Sequence, residues 1–225
     1  MHSEPAAFGI AIFGDVVHSR MSATAATRWL DHLRGLLEDT YAGLTLAPFE
    51  YTQGDEIQGL LAPRADPFRA LLEATLRPRT GDEAVPRMRW AVAAGGVDPG
   101  SGPATRRTGE AFLLARSTLE RVDQQRDGLL CVTGDRRADA LLDDVAPVIP
   151  ALIDRMTDRQ REIARLSLVD GLRQAEAAEQ LGVRRPTISI AWRRADVRSL
   201  GRLVEACRRI WSAGIEQRLE AGFGQ

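Results

Sequence analysis

The chain has 225 residues, of which 44 % are hydrophobic and 27 % are charged, as in an ordinary water-soluble globular protein. All 30 basic residues are arginine, which excludes a Walker-type phosphate lysine and a Schiff-base lysine. No apolar run approaches the ~18 residues of a membrane span, and the first residues lack the features of a signal peptide. We therefore expect a cytoplasmic protein without a membrane partner.

The formal net charge of -1 is unevenly distributed along the chain. From Ala151 onward there are 14 arginines against 10 acidic residues, whereas the preceding part has 16 against 21. An acidic front and a basic back indicate different partners for the two parts. Pro147 and Pro150 mark the boundary, so we predict one domain at 1–148 and a second at 149–225.

The front part alternates strand and helix patterns. The order β-α-β-β-α-β-α-β predicts an α+β fold with helices on one face of the sheet. Gly14 is expected to allow a sharp exit from the first strand. In chain order, the predicted elements are a strand at 8–13, a helix at 24–40, a hairpin at 49–61, a helix at 68–76, a strand at 88–97, a helix at 109–121, a strand at 128–134 and a helix at 136–142.

Acidic residues stand at the ends of two of these front strands. Asp15 follows the first strand, and Gly54, Asp55 and Glu56 form the tip of the hairpin. If the two strands pair, Asp15 and Asp55 lie side by side, and two carboxylates can hold a divalent cation such as Mg²⁺ or Mn²⁺. The alternatives are that Asp15 caps a helix and that Gly54 and Asp55 are simply favourable turn residues.

The back part reads as helices only. A capping-box pattern at 157–160 begins one helix, and further helices are predicted at 174–181, 183–195 and 200–211. The small Ala178 at a helix crossing and the turn at Gly182 are typical of a helix-turn-helix, whose second helix reads double-stranded DNA. Its predicted DNA-binding residues are Arg184, Arg185, Thr187, Ser189, Arg193 and Arg194.

The back part has two alternative interpretations. An arginine-rich helical face can be merely solvated, as on the outside of a small helical bundle. The helices can also form a dimerisation module or a module that binds RNA polymerase. Motif matches of this length carry a known false-positive risk, so these alternatives stay open.

Three motifs together resemble the SatD family of bacterial proteins: the stretch 14–20, the stretch 52–60 and the helix-turn-helix. The last motif, with the residues from Met156 to Glu162, also resembles sigma-factor region 4. The front part looks like the palm of class III nucleotide cyclases and GGDEF enzymes, in which an Asp ends the first strand and a hairpin tip carries Gly-Asp.

The resemblance implies a palm-like antiparallel sheet and assigns roles to several residues. Asp15 and Asp55 match the two metal-binding positions of the palm. Arg116 falls where cyclases have the Arg of an Asn-x-x-x-Arg motif, and Phe112 occupies the Asn position. The residues predicted to bind a nucleoside triphosphate are Arg20, Gly54, Glu56 and Arg116.

Three functions follow from the resemblance. The first is a DNA-binding transcriptional regulator, expected to be a homodimer, whose palm senses a metal-bound nucleotide. The second is a nucleotide cyclase or nucleotidyl-transfer enzyme that uses Asp15 and Asp55 as metal ligands. The third is a catalytically inactive adaptor whose helical domain binds protein.

Overall fold

A computed structural model of the chain describes residues 7–17, 23–52, 55–80 and 85–222. The described residues form a sheet flanked by helices, which confirms the α+β class. The elements are β1 (Ala7–Val16), α1 (Ala23–Thr40), β2 (Thr45–Tyr51), β3 (Glu56–Leu61), α2 (Pro67–Thr75), β4 (Met88–Val97), a 3₁₀ turn (Ala104–Arg106), α3 (Glu110–Gln125), β5 (Leu129–Val132), α4 (Arg136–Val145), α5 (Val148–Asp154), α6 (Asp158–Leu168), α7 (Gln174–Gln180), α8 (Arg185–Arg194) and α9 (Val197–Glu220).

The described strands lie in the order β2-β3-β1-β4-β5, with β1 in the centre. β1 pairs antiparallel with β3 and with β4, and Asp15 lies opposite Glu56 on one side and Arg89 on the other. β5 runs parallel to β4, so the expectation of a wholly antiparallel sheet is wrong for this strand. The reason is that α3 connects β4 to β5, and a helical crossover returns the chain in the same direction.

Helices cover both faces of the sheet, so the prediction of helices on one face is also wrong. Ile10 and Ile12 of β1 belong to a core with α1, α2 and α9, whereas Ala11 and Phe13 pack under α3. The uninterrupted apolar run from Phe8 to Phe13 is typical of a strand that is buried on both sides. This run therefore indicates that helices cover both faces of β1.

Gly14 lies inside β1 and does not end it, which corrects its expected role. The ring of Trp90 in β4 lies over Gly14, and a Cβ there would be 2.7 Å from a ring carbon. Gly59 in β3 lies in the same way under the ring of Phe49. Both glycines therefore make room for an aromatic ring on the neighbouring strand.

The helical part begins one helix earlier than predicted. The capping box is present, because Thr157 N donates to Gln160 Oε1 over 2.8 Å and Gln160 N donates to Thr157 Oγ1 over 3.3 Å. The residues around Pro150 form α5, since proline in the first turn of a helix loses no hydrogen bond. Gly182 has a φ of +61° at the turn before α8, the left-handed conformation that glycine favours.

The helical part packs on the sheet part along a contact that we call the seam. Trp211 of α9 meets Phe68 of α2 edge-on, with ring centroids 6.4 Å apart. Asp158 at the start of α6 accepts hydrogen bonds from the backbone N–H groups of Arg79, over 2.7 Å, and Thr80, over 3.1 Å. The seam consists of Asp66, Phe68, Arg79, Thr80 and Arg87 on the sheet side and of Asp154, Asp158, Arg161, Arg208 and Trp211 on the helical side.

None of the helices in the described ranges combines the length and the apolar character that a membrane span requires.

Candidate functional site

A row of three charged side chains crosses the sheet at one end. Glu56 of β3, Asp15 of β1 and Arg89 of β4 are direct neighbours in the strand register. Side chains at directly opposite positions share a face of the sheet, and this face is the one that α3 covers. The pairing of β1 with its two neighbours therefore brings these three residues together.

α3 completes the row with one charge at each end. Arg116 donates to both carboxylate oxygens of Glu56, over 2.5 and 2.7 Å, and its guanidinium carbon lies 4.8 Å from the centre of the Phe13 ring. Arg89 donates from Nε to Asp15 Oδ2 over 3.0 Å and also pairs with Asp123 of α3. Within the row, the carboxylates of Glu56 and Asp15 are direct neighbours, and each is paired with an arginine on its other side.

The hairpin tip adds Asp55 to this end of the sheet. Val16 N donates to the carbonyl oxygen of Asp55 over 2.8 Å, so the tip is fixed against the end of β1. Thr52 N donates to the carbonyl oxygen of Glu56 over 3.0 Å and closes the turn. We call this group the charged rim; it consists of Asp15, Asp55, Glu56, Arg89, Arg116 and Asp123.

The charge of Asp15 is held against an unfavourable environment. Burial raises the pKa of its carboxyl above the ordinary value, and the nearby charges of Asp55 and Glu56 raise it further, whereas the hydrogen bond and the charge of Arg89 lower it. Desolvation and like charges both disfavour a carboxylate, and a guanidinium favours it. A cation near Asp15 therefore stabilises the rim, and Arg89 supplies one.

The rim by itself is a poor metal site. No group of three His, Cys, Asp or Glu side chains among the described residues could hold a metal ion. Arg116 and Gln58 occupy the oxygens of Glu56, and Arg89 occupies one oxygen of Asp15. Mg²⁺ commonly binds through one or two carboxylates plus substrate phosphates. Asp15 and Asp55 therefore fit a cation that arrives with a triphosphate.

Two residues predicted to bind a nucleotide, Arg20 and Gly54, lie outside the described residues. Two rim residues were not predicted, namely Arg89 and Asp123. Arg89 is a charged residue in an otherwise apolar strand. Its position indicates a partner for Asp15 once β4 is paired with β1. Asp123 joins the rim only because α3 packs over the sheet, which no local pattern shows.

The predicted DNA-reading helix, α8, packs against α6, α7 and α9 of the helical part. Ile188 packs with residues of α6 and α7 in a small separate core. Arg184, Arg185, Thr187, Arg193 and Arg194 are exposed, and Ser189 is half-buried. In the part of the chain that the structure describes, none of these four arginines forms an ion pair. We call this surface, from Arg184 to Arg194, the α8 face.

No protein-family model and no curated protein matches the chain, so the SatD resemblance stays a prediction. Among solved structures, the chain is similar to a bacterial light-regulated adenylyl cyclase, with a TM-score of 0.43 and 13 % identity over 57 % of this chain and 77 % of that one. It is also similar to the guanylyl cyclase domain of the RhoGC fusion protein from Blastocladiella emersonii, with a TM-score of 0.36 and 18 % identity over 52 % and 78 %. These similarities are too distant to assign an activity.

Proposed function

We propose that the charged rim binds a nucleoside triphosphate together with Mg²⁺ or Mn²⁺, as a palm domain of the nucleotide cyclase type. The observation that supports the proposal is the placement of Asp15 and Asp55 at one end of the sheet, beside Arg116. Two carboxylates and a half-exposed guanidinium are complementary to a cation and a phosphate chain, respectively.

Each residue has a distinct part in this binding. Asp15 and Asp55 hold the cation, which neutralises phosphate charge when it is bound. Arg116 exchanges Glu56 for a phosphate oxygen, and both partners give charge-assisted hydrogen bonds. Its guanidinium lies over the Phe13 ring, at the end of the sheet where Asp15 also lies.

Calorimetry tests this binding directly. Each of the four nucleoside triphosphates is titrated with Mg²⁺ into the wild type, into Asp55→Asn and into Asp39→Asn. Asp39 is an exposed residue of α1 and gives the same change of charge away from the rim. We expect at least one triphosphate to bind to the wild type and to Asp39→Asn, and at least tenfold more weakly to Asp55→Asn. No heat with any triphosphate, or equal binding to all three proteins, would show that the acidic tip is only a turn.

Incubation of the wild type with Mg²⁺ and the same four triphosphates decides between an enzyme and a sensor. Phe112 occupies the position of the cyclase asparagine, and its ring packs on Phe13 at a centroid distance of 6.1 Å. A cyclic or linked nucleotide product after incubation with the triphosphates identifies the catalytic alternative. Unchanged nucleotide recovered from a protein that binds it identifies a sensor.

We propose as a second function that the α8 face binds double-stranded DNA, in a homodimer. The supporting observation is the set of exposed arginines without carboxylate partners in the described part of the chain. Such cations can neutralise phosphates and release counterions from the duplex. The N-terminal end of the helix is where helix-turn-helix proteins contact base edges, and dimers of these proteins bind two half-sites.

Salt titration of duplex binding tests this function. The double variant Arg193→Ala/Arg194→Ala should bind every duplex more weakly, and the slope of log K against log salt should fall by about 1 for each lost phosphate contact. The control, Arg34→Ala/Arg121→Ala, removes the exposed Arg34 and the half-buried Arg121 of the sheet part and should keep the wild-type slope. Equal slopes for the two double variants would contradict DNA binding by the α8 face.

A further inference from the structure

We propose that Arg89 is a built-in counter-cation of the charged rim: it occupies Asp15 when no metal is bound and moves towards Asp123 when a metal–triphosphate complex arrives. The ligand in this inference rests on the proposed function. The competition between Arg89 and a cation for Asp15 rests on the geometry of the rim alone.

The strand register keeps Arg89 beside Asp15. The two residues are directly opposite each other on β4 and β1. Long side chains readily bridge the separation between opposite positions on neighbouring strands. Arg89 Nε and the neighbouring terminal nitrogen both donate to the single oxygen Oδ2. Only 20 % of the Arg89 side chain and 15 % of the Asp15 side chain are exposed, so water and salt screen this pair less than a surface pair.

Arg89 also has a second anion within reach. Its remaining terminal nitrogen pairs with Asp123 of α3, whose side chain is 68 % exposed. Arg89 can therefore release Asp15 without becoming an unpaired buried charge, which would be costly. One fork-shaped guanidinium joining two carboxylates is suited to such an exchange, because its nitrogens point in different directions.

Removal of Arg89 changes the balance of charges around Asp15. Asp15 then loses its guanidinium partner, while the carboxylates of Asp55 and Glu56 remain close to it. Like charges in one place favour the uptake of a cation. A divalent metal should therefore bind to the rim of an Arg89 variant even without a nucleotide.

The wild type should respond differently to metal alone and to metal with a triphosphate. Metal alone must displace Arg89 from Asp15, and it supplies no new hydrogen-bond acceptor for the displaced guanidinium. A triphosphate supplies anionic oxygens that can accept hydrogen bonds from Arg89 and Arg116. Arg89 thus makes the rim selective for the complex over the free metal.

The test is Mn²⁺ binding without nucleotide, followed by the electron paramagnetic resonance signal of free Mn²⁺. Arg89→Gln is compared with the wild type and with Arg121→Gln. The control makes the same change of charge at a half-buried pair outside the rim, Arg121 with Asp143. We expect Arg89→Gln to bind Mn²⁺ at least tenfold more tightly than either, and Asp15→Asn in the Arg89→Gln background to abolish the gain. Equal Mn²⁺ affinity of Arg89→Gln and Arg121→Gln would overturn the proposal.

A second variant covers the case in which Arg89→Gln does not fold. Asp123→Asn keeps Arg89 on Asp15 but removes its alternative partner. Binding of Mg²⁺ with the triphosphate should then be severalfold weaker than in the wild type, whereas wild-type affinity would contradict the exchange.

The two proposals fail separately. Tighter Mn²⁺ binding by Arg89→Gln, together with no triphosphate binding by the wild type, would support the counter-cation and reject nucleotide binding. Triphosphate binding by the wild type, together with no Mn²⁺ gain in Arg89→Gln, would reject the counter-cation only.

Discussion

The charged rim and the α8 face both depend on arginine, but they use it in opposite ways. In the rim, Arg89 and Arg116 are tied to carboxylates on neighbouring strands. On the α8 face, arginines such as Arg193 project into solvent and, within the described ranges, pair with no carboxylate. The strand register places Arg89 directly opposite Asp15, whereas an outer helix can leave its cations available to a partner. The arginines of the rim are therefore engaged by carboxylates of the rim itself, whereas those of the α8 face are available to a partner.

The seam connects the rim end of the sheet with the first helix of the helical part through two contacts. Val17, two residues after Asp15, donates its N–H to the carbonyl oxygen of Arg87 over 2.8 Å. The side chain of Arg87 pairs with Asp154 of α5 over 2.9 Å. Arg87, which lies just before β4 and two residues before Arg89, thus contacts both the end of β1 and the first helix of the helical part. A movement of this segment would reach α5 directly.

The largest effect is expected from breaking the seam at Trp211. This residue is buried against Phe68, and truncation of a buried tryptophan to alanine costs about 3–5 kcal/mol. Trp211→Ala should lower the free energy of unfolding in urea by about this amount. Leu219→Ala, at an exposed position of the same helix, should change it by less than about 0.5 kcal/mol. Similar losses in the two variants would show that α9 is not an anchor of the helical part.

Asp158→Asn, in the same seam, is expected to lower the free energy of unfolding by a smaller amount. Its carboxylate accepts hydrogen bonds from the backbone of Arg79 and Thr80 and from Arg161. Loss of such a charged acceptor costs about 1–3 kcal/mol. Asp31→Asn, which removes one partner of an exposed pair with Arg34, serves as the control and should cost between about 0 and 1 kcal/mol.

The two regions should also be coupled in binding. If the metal–triphosphate complex changes DNA affinity by some factor, DNA must change the affinity for the complex by the same factor. We expect a factor of about 5–150, the usual range of such coupling, and its loss in Asp55→Asn. Identical DNA affinities with and without the complex would mean that the rim and the α8 face act independently.

The smallest effect concerns the pH dependence of stability and has opposite signs in the rim and in the seam. The pKa of Asp15 is raised, so its contribution to stability is full below the ordinary value of 3.8 and is lost as pH rises through the folded-state value. The pKa of Asp158 is lowered, mainly by hydrogen bonds from Thr80 and Arg79, so its contribution is present above 3.8 and is lost as pH falls through the folded-state value.

Urea midpoints between pH 3 and pH 7 measure this difference. The loss of stability caused by Asp158→Asn should grow as the pH rises from 3. Asp15→Asn should instead gain stability relative to the wild type over the same interval. The same pH trend in both variants would contradict the assigned environments.

Much of the architecture could be predicted from local patterns. The apolar stretch 88–97 gave β4 with its observed bounds, and Thr157 with Gln160 gave the start of α6. Apolar periodicity and capping residues are local signals, so a single segment carries them. Pro147 and Pro150 indicate a boundary in the sequence, yet α5 forms there, because proline is compatible with the first turn of a helix.

The rim could be predicted only in part. Asp15 and Asp55 stand at strand ends that are visible in the sequence. The neighbours that determine their charge, Arg89 and Asp123, come from strand register and from the packing of α3, which depend on contacts between distant segments. A local pattern indicates which residues carry charge, whereas the fold decides which charges meet.

The most direct test is diffraction from crystals soaked with Mn²⁺ and a non-hydrolysable triphosphate, measured for anomalous scattering. We predict a manganese peak in contact with Asp15 and Asp55, with Arg89 withdrawn from Asp15 towards Asp123 or a phosphate oxygen. A peak elsewhere, or triphosphate bound while Arg89 still occupies Asp15, would contradict the account of the charged rim.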